Sequence, residues 1–195
     1  MLTVEQNEEL TRVGPGTPMG ELLRRYWYPI AFEQDFDDVF TKSVRLLGEN
    51  WTLFKTPKSG RYGIIAEACP HRRASLTYGV VHEDGIRCGY HGWKWDFGGT
   101  CLEQPAEADN QNFRDRVRQK AGKAEVMGGM VWVYVGPDPA PELPRFDVFV
   151  MDGVKDCGYA TLPCTWLQIM ENSVDPHHVE WLHGQYFEFL GQTQG

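Results

Sequence analysis

CPHR at residues 69–72 and CGYHGW at residues 88–93 are the two stretches that decide how this chain folds. Each lies at the end of a run of β-prone residues, and turn residues stand beside both cysteines. Between Trp27 and Val135, similar short runs alternate with turn residues, which is typical of an antiparallel sheet domain. We therefore expect the two stretches to form loops whose tips meet.

Both stretches carry metal-ligand side chains, since each supplies one cysteine and one histidine. Cys69 and Cys88 can bind one ferric ion of a two-iron, two-sulfur (2Fe-2S) cluster, and neutral His71 and His91 can bind the other. The electron would localise on the histidine-bound iron and be exchanged through either imidazole. A tetrahedral zinc site is one alternative, and unrelated core cysteines with surface histidines are another. Zinc motifs usually pair cysteine with cysteine and histidine with histidine, whereas each stretch here offers one of each.

A second polar group lies in ENSVDPHHVEWLH at residues 171–183. Asp175 and His178 share one face of a helix. His178 and His183 are five residues apart, so on an ideal helix they point roughly 140° from each other. A shared metal therefore requires a local distortion such as a π-bulge, which does occur at functional sites. The alternative is a polar helix whose histidines face solvent or cap neighbours.

Length and charge narrow the range of functions. The chain has 195 residues, enough for one domain of roughly 100 to 150 residues and part of a second. Its net charge of -8 opposes nucleic-acid binding, which needs clustered lysine and arginine. No stretch approaches the roughly 18 apolar residues of a membrane helix and no targeting segment is apparent, so we expect a cytoplasmic protein. Its 5 cysteines, an odd number, fit a reducing compartment better than a disulfide framework.

The patterns predict an α+β fold in three parts. These are an N-terminal helical segment at residues 1–26, the sheet domain at residues 27–136 and a third part at residues 137–195. Four prolines between residues 137 and 144 mark the last boundary, because proline cannot supply the hydrogen bonds of a sheet.

Local signals predict the elements outside the sheet domain. Thr3 caps a helix that runs to about residue 10 or 12, and Pro18 begins a second helix that runs to about Tyr26. The third part is predicted to contain a strand at residues 158–162 and a helix at about residues 166–182.

The two metal-ligand stretches resemble the Rieske domain of non-heme iron aromatic-ring-hydroxylating oxygenases, in their oxygenase (alpha) component. Residues 12–27 and 99–107 resemble the phthalate 4,5-dioxygenase branch, so the likeness covers essentially the whole chain. It implies an antiparallel all-β Rieske domain and then the start of an α+β, helix-grip-like catalytic domain. Ala74 and Tyr90 stand where respiratory Rieske proteins have disulfide cysteines, which favours the lower-potential oxygenase type. Arg73 stands where the family commonly has glycine.

The resemblance also implies roles for the second group. His178 and His183 would bind mononuclear Fe(II), and two histidines with one carboxylate leave positions open for dioxygen. Asp175 would be the electron bridge, accepting a hydrogen bond from a ligand histidine of each centre. In the family this bridge crosses between subunits of a homotrimer, with His91 of one chain facing Asp175 of the next. Asn172 would lie close to the iron.

The third iron ligand of the family is an aspartate far downstream, and this chain ends at Gly195. Glu188 is the only carboxylate after His183 and a poor substitute. We therefore expect either a truncated chain or one whose remaining part comes from elsewhere, and in both cases this chain by itself has an incomplete mononuclear iron site and an incomplete substrate pocket.

The implied activity is O2-dependent hydroxylation of an aromatic compound. Electrons would come from an NAD(P)H-dependent reductase of flavin and ferredoxin type. The alternative is a Rieske ferredoxin-like electron carrier with no catalytic chemistry of its own. Residues 172–183 argue against it, because a carrier has no use for them.

The remaining histidines and thiols are given no functional role. His82 is expected to be exposed in a hairpin, and His177 to face away from the metal. Small buried side chains are expected at Cys101, Cys157 and Cys164.

Overall fold

The computed structural model of the chain describes residues 2–105, 107 and 111–193, and at residues 111 and 112 the backbone alone. Ala106, in the family-like stretch 99–107, lies outside the described residues. The described residues form two compact units, one of Val13–Cys157 and one that joins residues 2–12 to residues 158–193. The domain limits predicted at residues 26 and 136 stay a prediction. None of the described helices is long and apolar enough to cross a membrane.

The unit Val13–Cys157 is built on two antiparallel sheets. The strands are β1 Tyr28–Phe32, β2 Thr41–Leu46, β3 Glu49–Lys55, β4 Tyr62–Ala66, β5 Val80–His82, β6 Gly85–Arg87, β7 Lys94–Trp95, β8 Cys101–Glu103, β9 Ala121–Met127 and β10 Met130–Tyr134. The large sheet has 6 strands in the order β1-β10-β9-β4-β3-β2, and the small sheet has 4 in the order β5-β6-β7-β8. The predicted antiparallel sheet domain within an α+β chain is confirmed. The helix-grip-like catalytic domain stays a prediction.

Strands β3 and β4 are buried on both faces and divide the core in two. Successive side chains of a strand point to opposite faces, so Leu53 and Ile64 enter one core, and their neighbours Phe54 and Ile65 enter the other. The large-sheet core comprises Ala31, Phe36, Leu47, Trp51, Leu53, Tyr62, Ile64, Val131, Val133 and Val135. The small-sheet core comprises Phe54, Ile65, Cys69, Leu76, Ile86, Cys88, Trp93, Trp95 and Cys101. Both cysteines of the predicted cluster therefore lie in the small-sheet core.

Helices lie before, between and after the strands. They are α1 Val4–Thr11, α2 Pro18–Leu23, α3 Gln111–Arg114, α4 Asp147–Val150, α5 Trp166–Ser173, α6 Pro176–His178 and α7 Tyr186–Thr193, with 3-10 turns at Glu33–Phe36 and Leu76–Tyr78 and a π-helix at Val179–Gln185. Helix α1 begins with the predicted capping box of Thr3 and Gln6. Helix α2 ends at Leu23, before the predicted Tyr26, because the chain tightens into a turn in which the Tyr26 N–H donates to the Leu23 carbonyl at 3.2 Å.

Two predictions for the carboxyl-terminal part are wrong. Residues 158–162 form no strand, and within the described chain they have no neighbouring strand to pair with. The single helix predicted at residues 166–182 is interrupted at Asp175, which has the extended backbone (φ -88°, ψ 106°) that a following proline favours. The π-helical distortion that a shared metal requires is present at Val179–Gln185.

Candidate metal centres

The first loop, residues 69–74, follows β4 and carries Cys69 and His71. The Cys69 N–H donates to the Ala74 carbonyl at 2.9 Å, and the Arg73 N–H donates to the Cys69 carbonyl at 2.8 Å. Arg73 has a φ of 61°, in the left-handed region that non-glycine residues rarely adopt. The loop is therefore a tight turn that returns the chain towards the small sheet.

The second loop, residues 88–93, has the same backbone design. The Cys88 N–H donates to the Trp93 carbonyl at 2.8 Å, and the Gly92 N–H donates to the Cys88 carbonyl at 3.0 Å. Gly92 has a φ of 75° and thus occupies the place that Arg73 occupies in the first loop. Each loop begins with a buried cysteine and turns back through a left-handed residue.

The two cysteines form one half of the site. Cys69 is 1% exposed and Cys88 is 4% exposed. Burial raises the pKa of the Cys69 thiol to about 11, the neighbouring Cys88 thiol acts in the same direction, and the backbone N–H of His71 lowers it. Both thiols lie in the small-sheet core, where Cys88 influences the protonation of Cys69. Because the thiolate is the metal ligand, binding of a metal must displace the proton.

The two histidines form the other half. The rings of His71 and His91 are 4.7 Å apart between centroids and inclined by 66°. His91 Nδ1 is buried, and none of the described residues gives it a hydrogen-bond partner. Burial lowers the pKa of His91, and the charges of His71 and Arg72 lower it further. Neutral imidazole is the form that binds a metal, so the surroundings of His91 favour ligation.

Aromatic side chains hold these imidazoles. The Trp93 ring stacks on His71 with 4.5 Å between centroids and an angle of 2°. The Tyr90 ring lies 3.8 Å from that of His91. On the outer side, Glu107 Oε1 is 3.9 Å from His71 Nε2. Stacking on a buried indole restricts the orientation of His71 before any metal is bound.

The arrangement of the four side chains suits a two-iron cluster. Sulfur lies beside sulfur and imidazole beside imidazole, as thiolate ligation of one iron and imidazole ligation of the other require. Within residues 2–105, 107 and 111–193, no three His, Cys, Asp or Glu side chains are grouped to hold a single metal ion. A cluster would satisfy the buried thiols and also His91 Nδ1, which is buried and finds no partner among the residues described.

Gln119 supports the first loop, although the sequence patterns give no sign of it. Its side-chain amide is buried and donates to the carbonyls of Ala66 and Ala68 at 2.8 and 2.9 Å, just before Cys69. A single glutamine far from the loop in sequence carries no local signal. Only the pairing of distant strands brings it there.

A network of charges supports the second loop. Arg87 donates to the Gly92 carbonyl at 2.8 Å and pairs with Glu103 at 2.6 Å. Lys94 pairs with Asp84 at 2.8 Å and with Glu103 at 3.2 Å. The network therefore connects β6, β7 and β8 behind the loop.

The second predicted site lies in the other unit, where Asp175, His178 and His183 come together. Asp175 caps α6, with Oδ1 accepting from the His177 N–H at 2.9 Å. Its Oδ2 is 3.6 Å from His178 Nδ1, a buried nitrogen that has no hydrogen-bond partner in the described part of the chain. The rings of His178 and His183 are 5.4 Å apart between centroids. The π-helix thus brings together two imidazoles that an ideal helix would separate.

Other predicted site residues are less closely involved. Asn172 is exposed near the end of α5, and its carbonyl accepts from the Asp175 N–H at 3.3 Å. Glu188 lies in α7 and, among the described residues, belongs to no group of three metal-ligand side chains. His177 is exposed.

Three minor predictions are corrected and one is confirmed. His82 is half-buried because it lies in β5 and not in the turn. Cys164 is exposed and Cys157 half-buried, since both lie in a segment that forms neither helix nor strand. Cys101 is buried as predicted.

Comparison with known proteins identifies the family. The family model described as the Rieske [2Fe-2S] domain matches residues 26–119, which include both loops. The chain is 50% identical, over 99% of its length, to the 5,5'-dehydrodivanillate O-demethylase oxygenase subunit of Sphingobium sp.. The chain belongs to the Rieske oxygenase family. A Rieske domain carries a 2Fe-2S cluster, so the zinc alternative is not retained.

Other Rieske oxygenases extend the comparison. The phthalate 4,5-dioxygenase oxygenase subunit of Pseudomonas putida is 38% identical over 96% of this chain. A solved structure of a Pseudomonas putida CBB5 NdmA mutant with caffeine has a TM-score of 0.57 and 25% identity, and the match covers 72% of this chain and 40% of that one. A solved complex of oxygenase and ferredoxin in carbazole 1,9a-dioxygenase has a TM-score of 0.50 and 26% identity. This match covers 62% of this chain and 31% of that one.

The chain spans less than half the length of these Rieske relatives. It covers 46% of the Sphingobium subunit and 43% of the phthalate dioxygenase subunit. The family and the cluster type follow from the comparison, whereas activity, substrate and partners are matters of proposal.

Proposed function

We propose that this chain is part of the oxygenase component of a Rieske non-heme iron oxygenase that acts on an aromatic compound. Its 2Fe-2S cluster would be held by Cys69, His71, Cys88 and His91. The observation that carries this assignment is the pairing of the two imidazoles at 4.7 Å beside two buried thiols, where no described residue supplies a hydrogen-bond partner to His91 Nδ1.

His178 and His183 are the proposed ligands of a mononuclear Fe(II). When bound, this iron supplies the binding and reduction of dioxygen. The π-helix supports the assignment, because it brings the two rings to 5.4 Å at the cost of a regular helix. Such distortions are rare and frequently occur at functional sites.

Asp175 is the proposed bridge between the two centres. In this chain its Oδ2 already lies 3.6 Å from His178 Nδ1, where a small movement would complete a hydrogen bond that orients the ring. Its other contact would be to His91 of the partner subunit in a homotrimer. Asn172, whose carbonyl accepts from the Asp175 N–H, would lie near the iron.

The electron donor is proposed to be an NAD(P)H-dependent reductase of flavin and ferredoxin type that docks near His71 or His91. The likeness to an oxygenase solved together with a ferredoxin supports a small iron-sulfur donor. The proposed reaction is O2-dependent hydroxylation of an aromatic compound. Relatives named for phthalate, chlorobenzoate and dehydrodivanillate support an aromatic substrate.

Counting iron and acid-labile sulfide after anaerobic purification tests the cluster ligands. We expect Cys88→Ser to lose the visible absorption of the cluster, because it removes a thiolate from one iron. Cys101→Ser is the matched control, since Cys101 is 3% exposed in the same small-sheet core and is not a proposed ligand. If the Cys88→Ser chain keeps an unchanged brown colour, the ligand assignment is wrong.

A further inference from the structure

Arg87 is a cation at the base of the second loop to which the proposed function gives no role. It directly precedes Cys88, and in the small sheet it pairs with Val80 of β5 and with Lys94 of β7. Its backbone is therefore held on both sides, at the point where the loop leaves the sheet. The side chain is 25% exposed, so water and salt screen its charge less than that of a fully exposed arginine.

The guanidinium of Arg87 contacts the second loop and the sheet at the same time. Nη1 donates to the Gly92 carbonyl at 2.8 Å, and Nη2 pairs with Glu103 of β8 at 2.6 Å. A Cβ at Gly92 would lie 3.8 Å from the same Nη1, so the cation lies against the returning half of the loop. Gly92 directly follows His91, and its own N–H donates to the Cys88 carbonyl at 3.0 Å. One hydrogen bond thus fastens the positive charge to the backbone that carries both proposed ligands of this loop.

Arg87 is placed differently from Lys94, the second cation of the charge network. The network balances these two cations against the carboxylates of Asp84 and Glu103. Lys94 donates to both carboxylates, at 2.8 and 3.2 Å, and these are its side-chain hydrogen bonds within the described residues. Arg87 meets one carboxylate and turns its other nitrogen to the loop. The charge of Arg87 is therefore less compensated and is held closer to the loop backbone.

We propose that Arg87 is a positioning residue of the cluster, which holds its positive charge against the second loop through the Gly92 carbonyl and so raises the reduction potential. In the oxidised form, the charges of two ferric ions, two sulfides and two thiolates cancel when both imidazoles are neutral. Reduction adds one electron and no proton, so the reduced form carries a net negative charge. A cation held nearby stabilises that form more than the neutral one. The proposal rests on the proposed function, since it requires Cys88 and His91 to be ligands.

The test is a spectroelectrochemical titration of the full chain carrying its cluster. We expect Arg87→Met, which keeps an apolar side chain and removes the charge, to lower the equilibrium constant for reduction about tenfold, equivalent to a midpoint about 59 mV lower for one electron. Lys94→Met is the matched control, because it removes the same charge from the network but no hydrogen bond to the loop, and it should lower the constant less than about twofold. Equal midpoints for Arg87→Met and the wild type, or equal shifts in the two variants, would overturn the proposal while leaving the cluster assignment intact.

Arg87→Lys separates the position of the charge from its presence. Lysine keeps the positive charge but lacks the planar fork that reaches the Gly92 carbonyl and Glu103 together. We expect its ammonium to stay with the carboxylate and leave the loop, so the midpoint should lie below that of the wild type. A wild-type midpoint in Arg87→Lys would overturn the proposal.

Glu103→Gln covers the case in which the Arg87 variants fail to hold a cluster. It leaves the loop and the Arg87 side chain in place and removes the carboxylate that partly neutralises the guanidinium, so the midpoint should rise. An unchanged or lower midpoint overturns the proposal whatever the Arg87 variants do. A wild-type chain that holds no cluster at all would instead overturn the proposed function, and this inference with it.

Discussion

Arg73 shows most clearly, at the scale of single residues, how the loop backbone constrains the choice of side chain. Its φ of 61° matches that of Gly92, at 75°, in the equivalent place of the other loop. A non-glycine residue in this region costs roughly 1–3 kcal/mol. The first loop therefore keeps a side chain at a position where its backbone favours glycine.

Replacing Arg73 by glycine should stabilise the chain. Relief of strain is partly offset by the greater freedom of glycine in the unfolded chain, roughly 0.5–1 kcal/mol, so we expect a net gain of about 1 kcal/mol in the free energy of unfolding. Urea denaturation measures it. The matched control is Gly92→Ala, which should destabilise the chain for two reasons. The added Cβ would lie 3.2 Å from Pro105, and alanine would have to adopt the left-handed backbone of Gly92. A lower stability for Arg73→Gly would show that the side chain of Arg73 contributes more than its strain costs.

Ligand residues could be predicted from sequence because their chemistry is local. Cysteine and histidine two or three residues apart in each loop already suggest a metal site, wherever the loops lie. Gln119 could not be found this way, because its partners come from distant parts of the chain. Gln119 reaches carbonyls more than fifty residues away, for example Ala68.

At the scale of elements, the charge network of the small sheet determines how that sheet responds to acid. Hydrogen bonding to Lys94 lowers the pKa of Asp84 below its ordinary 3.8. Arg87 first, and then Lys94, lower the pKa of Glu103 below its ordinary 4.5. A lowered carboxyl pKa contributes stability that is present above the unfolded value and is lost as pH falls through the folded value.

We therefore expect the free energy of unfolding to fall as the pH drops below about 4.5, and the fall to be smaller in Lys94→Met. Asp84 and Glu103 are 59% and 46% exposed, so solvent screening keeps the effect below about 1 kcal/mol. Urea titrations at several pH values measure it, and Lys123→Met, which breaks an exposed pair with Asp138, is the control. An identical acid dependence in Lys94→Met and wild type would contradict this assignment.

The carboxyl-terminal elements show what sequence periodicity can and cannot predict. The five-residue spacing of His178 and His183 indicated that a shared metal needs a distorted helix, and the structure has a π-helix there. The break at Asp175 and the absence of a strand at residues 158–162 were not predicted. A strand depends on a partner strand, and β-prone residues alone do not supply one.

At the scale of the whole molecule, the antiparallel sheet domain was predictable, but its strand order was not. Short runs between turn residues gave most of the strands, because hairpin signals are local. Strand β1 pairs with β10, although most of the sequence of the unit lies between them. Local sequence signals cannot predict such a pair. The Gln119 contacts and the common design of the two loops depend on such long-range pairing.

Asp175→Asn separates an oxygenase from an electron carrier. An oxygenase should lose delivery of electrons from the cluster to the iron by about 10- to 100-fold, as is typical when a carboxylate that orients a metal ligand is removed. The absorption spectrum of the cluster should not change. The measurement is the rate at which the reduced cluster is reoxidised by dioxygen in the presence of substrate, with Glu180→Gln, a nearby exposed carboxylate, as control. An unchanged rate in Asp175→Asn would favour the carrier.

In the proposed cluster, one iron is bound by two thiolates and the other by two imidazoles. Pulsed EPR of the reduced chain, prepared with ¹⁵N-labelled histidine, tests it most directly, because only a nitrogen bound to the cluster couples strongly to the unpaired electron. We expect two strongly coupled histidine nitrogens, from His71 and His91. A reduced chain without an EPR signal, or with a signal free of histidine coupling, would contradict it.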